Sequence, residues 1–204
     1  MTKDLTNVSA SDLDKLVMSE VSKYEVAKIM PEMELVGSGQ QLEVLNQSGN
    51  ANLYYQWLAC LTKILKPKQV VELGAAAGIS TIMIASELIE EAKFYSVDND
   101  PQAWRWMKKD YPQVTKIMAD DRDMRIWKGI SLKKTDLWFI DSLHTYEQLS
   151  AEMKLYKKYF KKGSVVVFDD IRMPGLWEIW NNLPYDKCEN TNPCHYSGFG
   201  FFKV

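Results

Sequence analysis

Several places in the sequence put oxygen or nitrogen donors directly after short apolar runs. Leu137-Trp-Phe-Ile is followed by Asp141-Ser-Leu-His144-Thr-Tyr146, and Val165-Val-Val-Phe by Asp169-Asp170. If these runs are neighbouring strands, about 4.8 Å apart, Asp141, Asp169 and Asp170 point into one small volume. Like charges that close raise each other's pKa, and a divalent cation resolves the conflict. Ligands that are all oxygen suit Mg²⁺, Mn²⁺ or Ca²⁺ rather than zinc. His144, with an ordinary imidazole pKa of about 6.5, is suited to collect a proton beside them, or it serves only to bond a neighbouring carbonyl or carboxylate.

A second kind of chemistry belongs to Val70–Ser80, VVELGAAAGIS, which reads as a buried strand, a glycine turn and a helix start. Gly74 and Gly78 permit a sharp turn and a close backbone approach to a ligand. The helix start offers free N–H groups to negative charge or lone pairs. A dinucleotide site would have glycine at Ala76, and the Glu72 carboxylate would repel a pyrophosphate; it suits an ammonium or sulfonium group instead. Asp98 follows the next strand about 24 residues after Gly74, the interval at which an acid commonly holds ribose hydroxyls. Asp100-Pro101 already supplies a helix cap, which leaves Asp98 free for a diol.

Glu72-Leu-Gly74-Ala75-x-x-Gly78-x-Ser80 resembles motif I of class I S-adenosylmethionine-dependent methyltransferases, in the version found in catechol O-methyltransferase and its bacterial relatives. The resemblance implies S-adenosylmethionine as cofactor, held by Glu72, Gly74, Ala75, Gly78 and Ser80, with Asp98 on the ribose and Asp141 beside the methyl group. It places an acceptor for the adenine amino group at Asp120 or Asp121; a plain helix cap is the alternative for that pair. It puts Asp141, Asp169 and Asp170 in the ligand positions for Mg²⁺ and His144 in the catalytic position. Two residues depart from the animal enzyme: Asp170 replaces an asparagine and His144 a lysine, as in sugar and natural-product methyltransferases that read D-x-x-H-x-Y. The resemblance covers roughly residues 50–171 and the final strand. It implies O-methylation of a small hydroxylated molecule, whether sugar, catechol-like or natural product. Competing readings are a metal-independent N- or O-methyltransferase and a non-catalytic nucleotide-binding module.

The elements that must position these groups alternate along the chain. Strands are predicted at Lys93–Val97, Val114–Met118, Thr135–Ile140 and Ser164–Phe168 and in the final GFGFFKV, with helices at Ile79–Ile89, Pro101–Tyr111, Asp123–Ile130, Tyr146–Tyr159 and Leu176–Leu183. Alternation of this kind predicts an α/β, doubly wound, mostly parallel sheet covered on both faces. The family likeness implies seven strands in a Rossmann-like arrangement with an antiparallel C-terminal strand. Ahead of them lie a helix capped by Ser9 or Ser11 and ended by Pro31, a polar stretch from Glu32 to Asn50, and a helix at Asn52–Leu65. We expect a single domain over residues 1–204, with a helical cap segment at 1–50 and a cofactor-binding core at 51–204.

The 204 residues carry 46% hydrophobic content, enough for one substantial core, and a net charge of −2, which argues against nucleic acid as partner. No apolar run is long enough to span a bilayer, and Cys60, Cys188 and Cys194 do not make a disulfide framework, so a cytoplasmic protein is expected. Its oligomeric state is open, a homodimer included. Cys188, Cys194 and His195 lack zinc spacing. The lysines of 154–162 read as the solvated face of a helix. Trp104, Trp106, Trp177 and Trp180 read as packing residues, with Trp177 or Trp180 the ones to meet substrate.

Overall fold

Short runs of β-branched and aromatic residues, apolar on both faces, put the strands at the centre of the molecule. The computed structural model describes residues 5, 7–25, 28–29, 33, 53–190 and 197–204. In it β1 (Gln69–Leu73), β4 (Leu137–Ile140) and β5 (Val165–Asp169) are buried at every position. With β2 (Lys93–Asp98), β3 (Val114–Met118), β6 (Asp186–Asn190) and β7 (Phe199–Lys203) they form one seven-stranded sheet, ordered β3-β2-β1-β4-β5-β7-β6. Strands β1 to β5 pair in parallel, and β7 runs antiparallel to both β5 and β6. This is the mostly parallel, Rossmann-like sheet expected. Its order reverses between β1 and β4, where the strand tips diverge and a ligand crevice opens.

Alternation along the strands divides the core in two. Val70, Phe139, Val167 and Phe201 face helices α1 (Ala10–Val21), α2 (Leu53–Leu65) and α3 (Ile79–Ala85). Val71, Trp138, Val166 and Phe202 face α4 (Tyr146–Tyr156) and α5 (Leu176–Asn181). Helix α1 is capped by Ser9, whose side chain accepts from the Asp12 N–H, an interaction generally worth about 1 kcal/mol. It buries Ala10, Leu13, Val17 and Val21. Helix α1 is built into the core: Trp57 Nε1 donates to Asp14 Oδ1 at 2.9 Å, and the Ala10 N–H donates to Asp186 Oδ2 at 2.7 Å. Apart from Met33, the stretch from Glu32 to Asn50 lies outside the described residues, as do Cys194 and His195.

Two expectations are corrected, and one strand is located for the first time. The helix at Pro101–Tyr111 is absent; a run of turns takes its place. There the Trp104 N–H donates to Ala76 O and the Trp106 N–H to Ala77 O, so two donors that a helix would use internally go to the glycine turn, and the segment's own bonds are short turn contacts such as Ala103 N–H to Asp100 O. Trp104 also sits at φ +58°, outside helical geometry. Asp123–Ile130 shrinks to a 3₁₀ turn at Met124–Trp127, capped by Asp123. Strand β6, of sequence DKCEN, was not foreseen, because a polar edge strand has no alternation to read.

Candidate functional site

Backbone pairing continues past the strand ends and stacks their tips: Gly74 N–H donates to Val97 O, Ala119 N–H to Asp98 O, and Asp141 N–H to Leu73 O, all within 2.9 Å. A cavity of about 470 Å³ opens over these tips, lined by Gly74, Asp98, Asp121, Asp141, His144 and Gln148 among others.

The glycine turn is shaped by its neighbours. Gly74 has φ +86°, and a β-carbon there would meet the Asp141 carbonyl oxygen at 2.0 Å; Gly78 has φ +93°, with Trp104 Cα at 3.0 Å from such an atom. Both glycines therefore admit protein backbone. The turn's N–H groups, expected to be free, are taken as well. Asp98 Oδ2 accepts from the Ala75 and Ala76 N–H groups at 2.8 Å each, and Oδ1 accepts from Asp100 N–H at 2.8 Å. So the idea that Asp98 has no structural duty is corrected: its carboxylate clamps the turn while lining the cavity.

Glu72 is completely buried and points away from the cavity into the α3 face. It accepts from Ser80 Oγ at 2.6 Å, Thr81 Oγ1 at 2.6 Å and Ser96 Oγ at 2.5 Å. Burial pushes its carboxyl up to about 7, against the pull of those three hydroxyls. Trp104 Nε1 donates to Ser96 and extends the network. Glu72 and Ser80, expected to face the cofactor, instead pin α3 and β2 to β1, and neither lines the cavity.

Asp120 and Asp121 both line the cavity but differ in engagement. Asp120 is gripped by the Arg122 guanidinium, with Nη2 2.7 Å from Oδ2, which lowers its pKa. Asp121 is buried, accepts from Gln148 Nε2 at 2.8 Å, and is pushed up by burial.

Beyond β4 and β5 the acids meet the imidazole. His144 Nε2 lies 3.1 Å from Asp141 Oδ1 and Nδ1 lies 2.9 Å from Asp170 Oδ2. Among the described residues the donor atoms that converge, all within 4.8 Å of one another, belong to Asp141, His144 and Asp170. This corrects the expected ligand set, which had Asp169 in place of His144. The Asp169 carboxylate turns back to accept the Asp170 N–H at 2.8 Å, while Asp170 adopts φ +56° and swings its own carboxylate toward the imidazole. Asp169 still acts on the site by charge: burial first, and then Asp169, push Asp141 up to about 8.

With an acid oxygen beside each ring nitrogen, His144 is placed to donate to both Asp141 and Asp170 when protonated. Hydrogen bonds to Asp141 and Asp170 carry its pKa up to about 10. In this arrangement the imidazole favours its protonated form. Trp180 is buried against Phe168, whereas Trp177 is 41% exposed.

Sequence reasoning missed Gln148, Ser142 and Glu152. Gln148 stands three residues after the Thr145 cap, a spacing that reads as a capping box, yet its amide reaches Asp121 and Glu152 instead. Tyr54 and Tyr55 were missed too. Their rings lie 4.0 Å apart, and both hydroxyls are raised by burial and by the charges of Asp141 and Asp169.

The family described as "Methyltransferase domain" matches residues 71–171, the span from β1 to the turn after β5. Catechol O-methyltransferase B of Danio rerio is 25% identical over 148 residues, 65% of this chain and 55% of that protein. "Probable caffeoyl-CoA O-methyltransferase 3" of Dictyostelium discoideum is 24% identical over 131 residues, 60% of this chain and 50% of that one. The chain thus spans about half the length of these curated relatives. Among solved structures, a Staphylococcus aureus protein described as a caffeoyl-CoA O-methyltransferase superposes with TM-score 0.64 at 14% identity, covering 95% of this chain and 100% of its own. The cofactor-bound Rv0187 from MTB gives TM-score 0.59 at 17% identity, covering 96% and 97%. At such identities the structures establish the fold. No helix among the described residues is long and apolar enough to cross a membrane.

Proposed function

Because the chain is a class I S-adenosylmethionine-dependent methyltransferase, related to the catechol and caffeoyl-CoA O-methyltransferases, we propose that it methylates a hydroxyl of a small molecule with the help of a divalent cation. The observation that carries this reading is the convergence of Asp141, His144 and Asp170 at the rim of the cavity over the strand tips.

The donor set fits a cation on its own chemistry. Asp141 is an acid raised by burial and by Asp169, so the pocket favours positive charge, and the imidazolium supplies it in the arrangement seen. Two carboxylate oxygens with one imidazole nitrogen are less hard than the all-oxygen set expected, which moves the preference from Mg²⁺ toward Mn²⁺. Bound there, a divalent cation fixes an acceptor oxygen and lowers its hydroxyl pKa. S-adenosylmethionine brings the sulfonium methyl, whose transfer requires an acceptor held in line with the leaving sulfur. The chain's own part is positional: Gly74 and Asp98 fix the turn, Asp120 and Asp121 face the nucleoside, and Asp141 joins the cofactor cavity to the acid cluster.

The His144 bridge favours one alternative, in which the imidazolium balances the carboxylates by itself and no metal is needed. An assay with methyl-labelled cofactor against catechols, sugars and hydroxylated metabolites separates the two. The proposal expects transfer lost in EDTA and restored by Mn²⁺ or Mg²⁺. Full activity in EDTA selects the metal-free reading. Failure to bind S-adenosylhomocysteine in calorimetry removes both.

A further inference from the structure

Behind the cavity wall lies a group that touches no cavity space yet joins three residues that do. Glu152, on α4, is fully buried. Its Oε1 accepts from Ser142 Oγ and from Gln148 Nε2, the latter at 2.6 Å. Gln148 in turn donates to Asp121 Oδ1 at 2.8 Å. Ser142 follows β4, Gln148 belongs to the first turn of α4 and Asp121 follows β3, so one side chain couples three elements lining the same cavity. The backbone of Asp121 is held from below as well, since Tyr156 Oη donates to its carbonyl and Trp127 Nε1 donates to Tyr156 Oη at 2.9 Å.

We propose that Glu152 is a positioning residue for the cofactor: a neutral carboxylic acid that fixes Asp121, Gln148 and Ser142 against the nucleoside. This rests on the cofactor reading above and adds to it a residue that meets no ligand. The geometry requires the proton. Glu152 Oε2 has no hydrogen-bond partner and no exposure, which an ionised carboxylate could not sustain; as an O–H it becomes a donor, and Asp121 is the acceptor beside it. Asp121 then stays ionised and keeps acceptor capacity for an N–H or O–H of the nucleoside.

Every charged or titratable group facing the pair agrees with this assignment. Asp120 is engaged by Arg122, the Tyr156 phenol is raised by burial, and Gln148 and Ser142 are neutral. Burial and then the Asp121 charge push Glu152 up to about 8, so the acid form prevails at neutrality and is lost in mild alkali.

Glu152→Gln preserves the shape and both roles, since an amide can donate to Asp121 and accept from Ser142 and Gln148. Glu152→Leu preserves bulk alone. By calorimetry at pH 7, S-adenosylhomocysteine is expected to bind Glu152→Gln within about threefold of the native protein and Glu152→Leu at least tenfold more weakly. Raising the pH through 8 to 9 should weaken binding to the native protein but leave Glu152→Gln level. The infrared difference spectrum, native protein minus Glu152→Gln, should show a protonated-carboxyl band at pH 7, a readout that survives should Glu152→Leu not fold. Equal losses in both variants, native affinity in Glu152→Leu, or no such band would overturn the proposal and leave the cofactor reading intact. A native protein that binds no S-adenosylhomocysteine at any pH overturns both.

Discussion

The carbonyl oxygen of Asp141 occupies the space that a β-carbon on Gly74 would need, 2.0 Å from it. The cofactor turn and the tip of β4 are thus registered against each other by the absence of one methyl group. Gly74→Ala is expected to cost on the order of 3 kcal/mol from clash and positive-φ strain together. Gly129 is the control: it has a similar φ of +84° with open space around it, so Gly129→Ala should cost only about 1 kcal/mol. Urea unfolding of the two variants checks the difference, and equal costs would refute the steric account.

Glu72 makes stability depend on pH. Its folded pKa of about 7 is raised, chiefly by burial, above the ordinary 4.5, so the folded state binds its proton more tightly. Its contribution is full below pH 4.5 and lost as pH rises through 7. By linkage the span is about 3 kcal/mol. Glu72→Gln should therefore lose less stability than the native protein between pH 4.5 and 7.5, as urea unfolding at the two pH values would show. Unchanged slopes would refute it.

Cation binding should release protons. His144 holds its proton between Asp141 and Asp170 with a pKa near 10, and a ligand imidazole must give that proton up. Mn²⁺ affinity should rise with pH between 6 and 9, and calorimetry in buffers of different ionisation enthalpy should detect more than one proton released near neutrality, since Asp141, raised to about 8, must ionise along with the imidazole. His144→Ala should weaken Mn²⁺ binding tenfold or more. No proton release with unaltered affinity in His144→Ala would leave the imidazole outside the ligand set.

Asp98 is expected to act on the cofactor through the turn it clamps. Asp98→Ala leaves the Ala75 and Ala76 N–H groups without their acceptor and should cost about 1–3 kcal/mol of stability, with at least tenfold weaker S-adenosylhomocysteine binding. Asp98→Asn keeps one oxygen for the pair and should recover most of the stability. If both variants are as stable as the native protein, the clamp is not what holds the turn.

The parallel strands were legible because β4 and β5 are built on continuous apolar runs and β1 on a largely apolar one, and the acids at β4 and β5 were legible because they follow those runs directly. What each acid does was not. Asp98 and Glu72 read as ligand contacts, but the donors that claim them, Ala75 and Ala76 in one case and Ser80, Thr81 and Ser96 in the other, are set by how the turn folds back. Asp169 and Asp170 are adjacent and chemically identical; only the left-handed backbone at Asp170 decides which one meets His144. Trp104 read as part of a helix because no local pattern announces that its N–H is spent on Ala76. Long-range hydrogen bonds overrode local propensity at each of these places.

Strand β7 lies between β5 and β6, although every other strand precedes it along the chain. During biosynthesis the sheet therefore stays unfinished until Phe199–Lys203 has left the ribosome, with the β5 flank bare of its neighbour in the interval. A chain cut before Phe199 would leave β5 and β6 without their shared neighbour, a species fit for chaperones and for self-association rather than for partial activity.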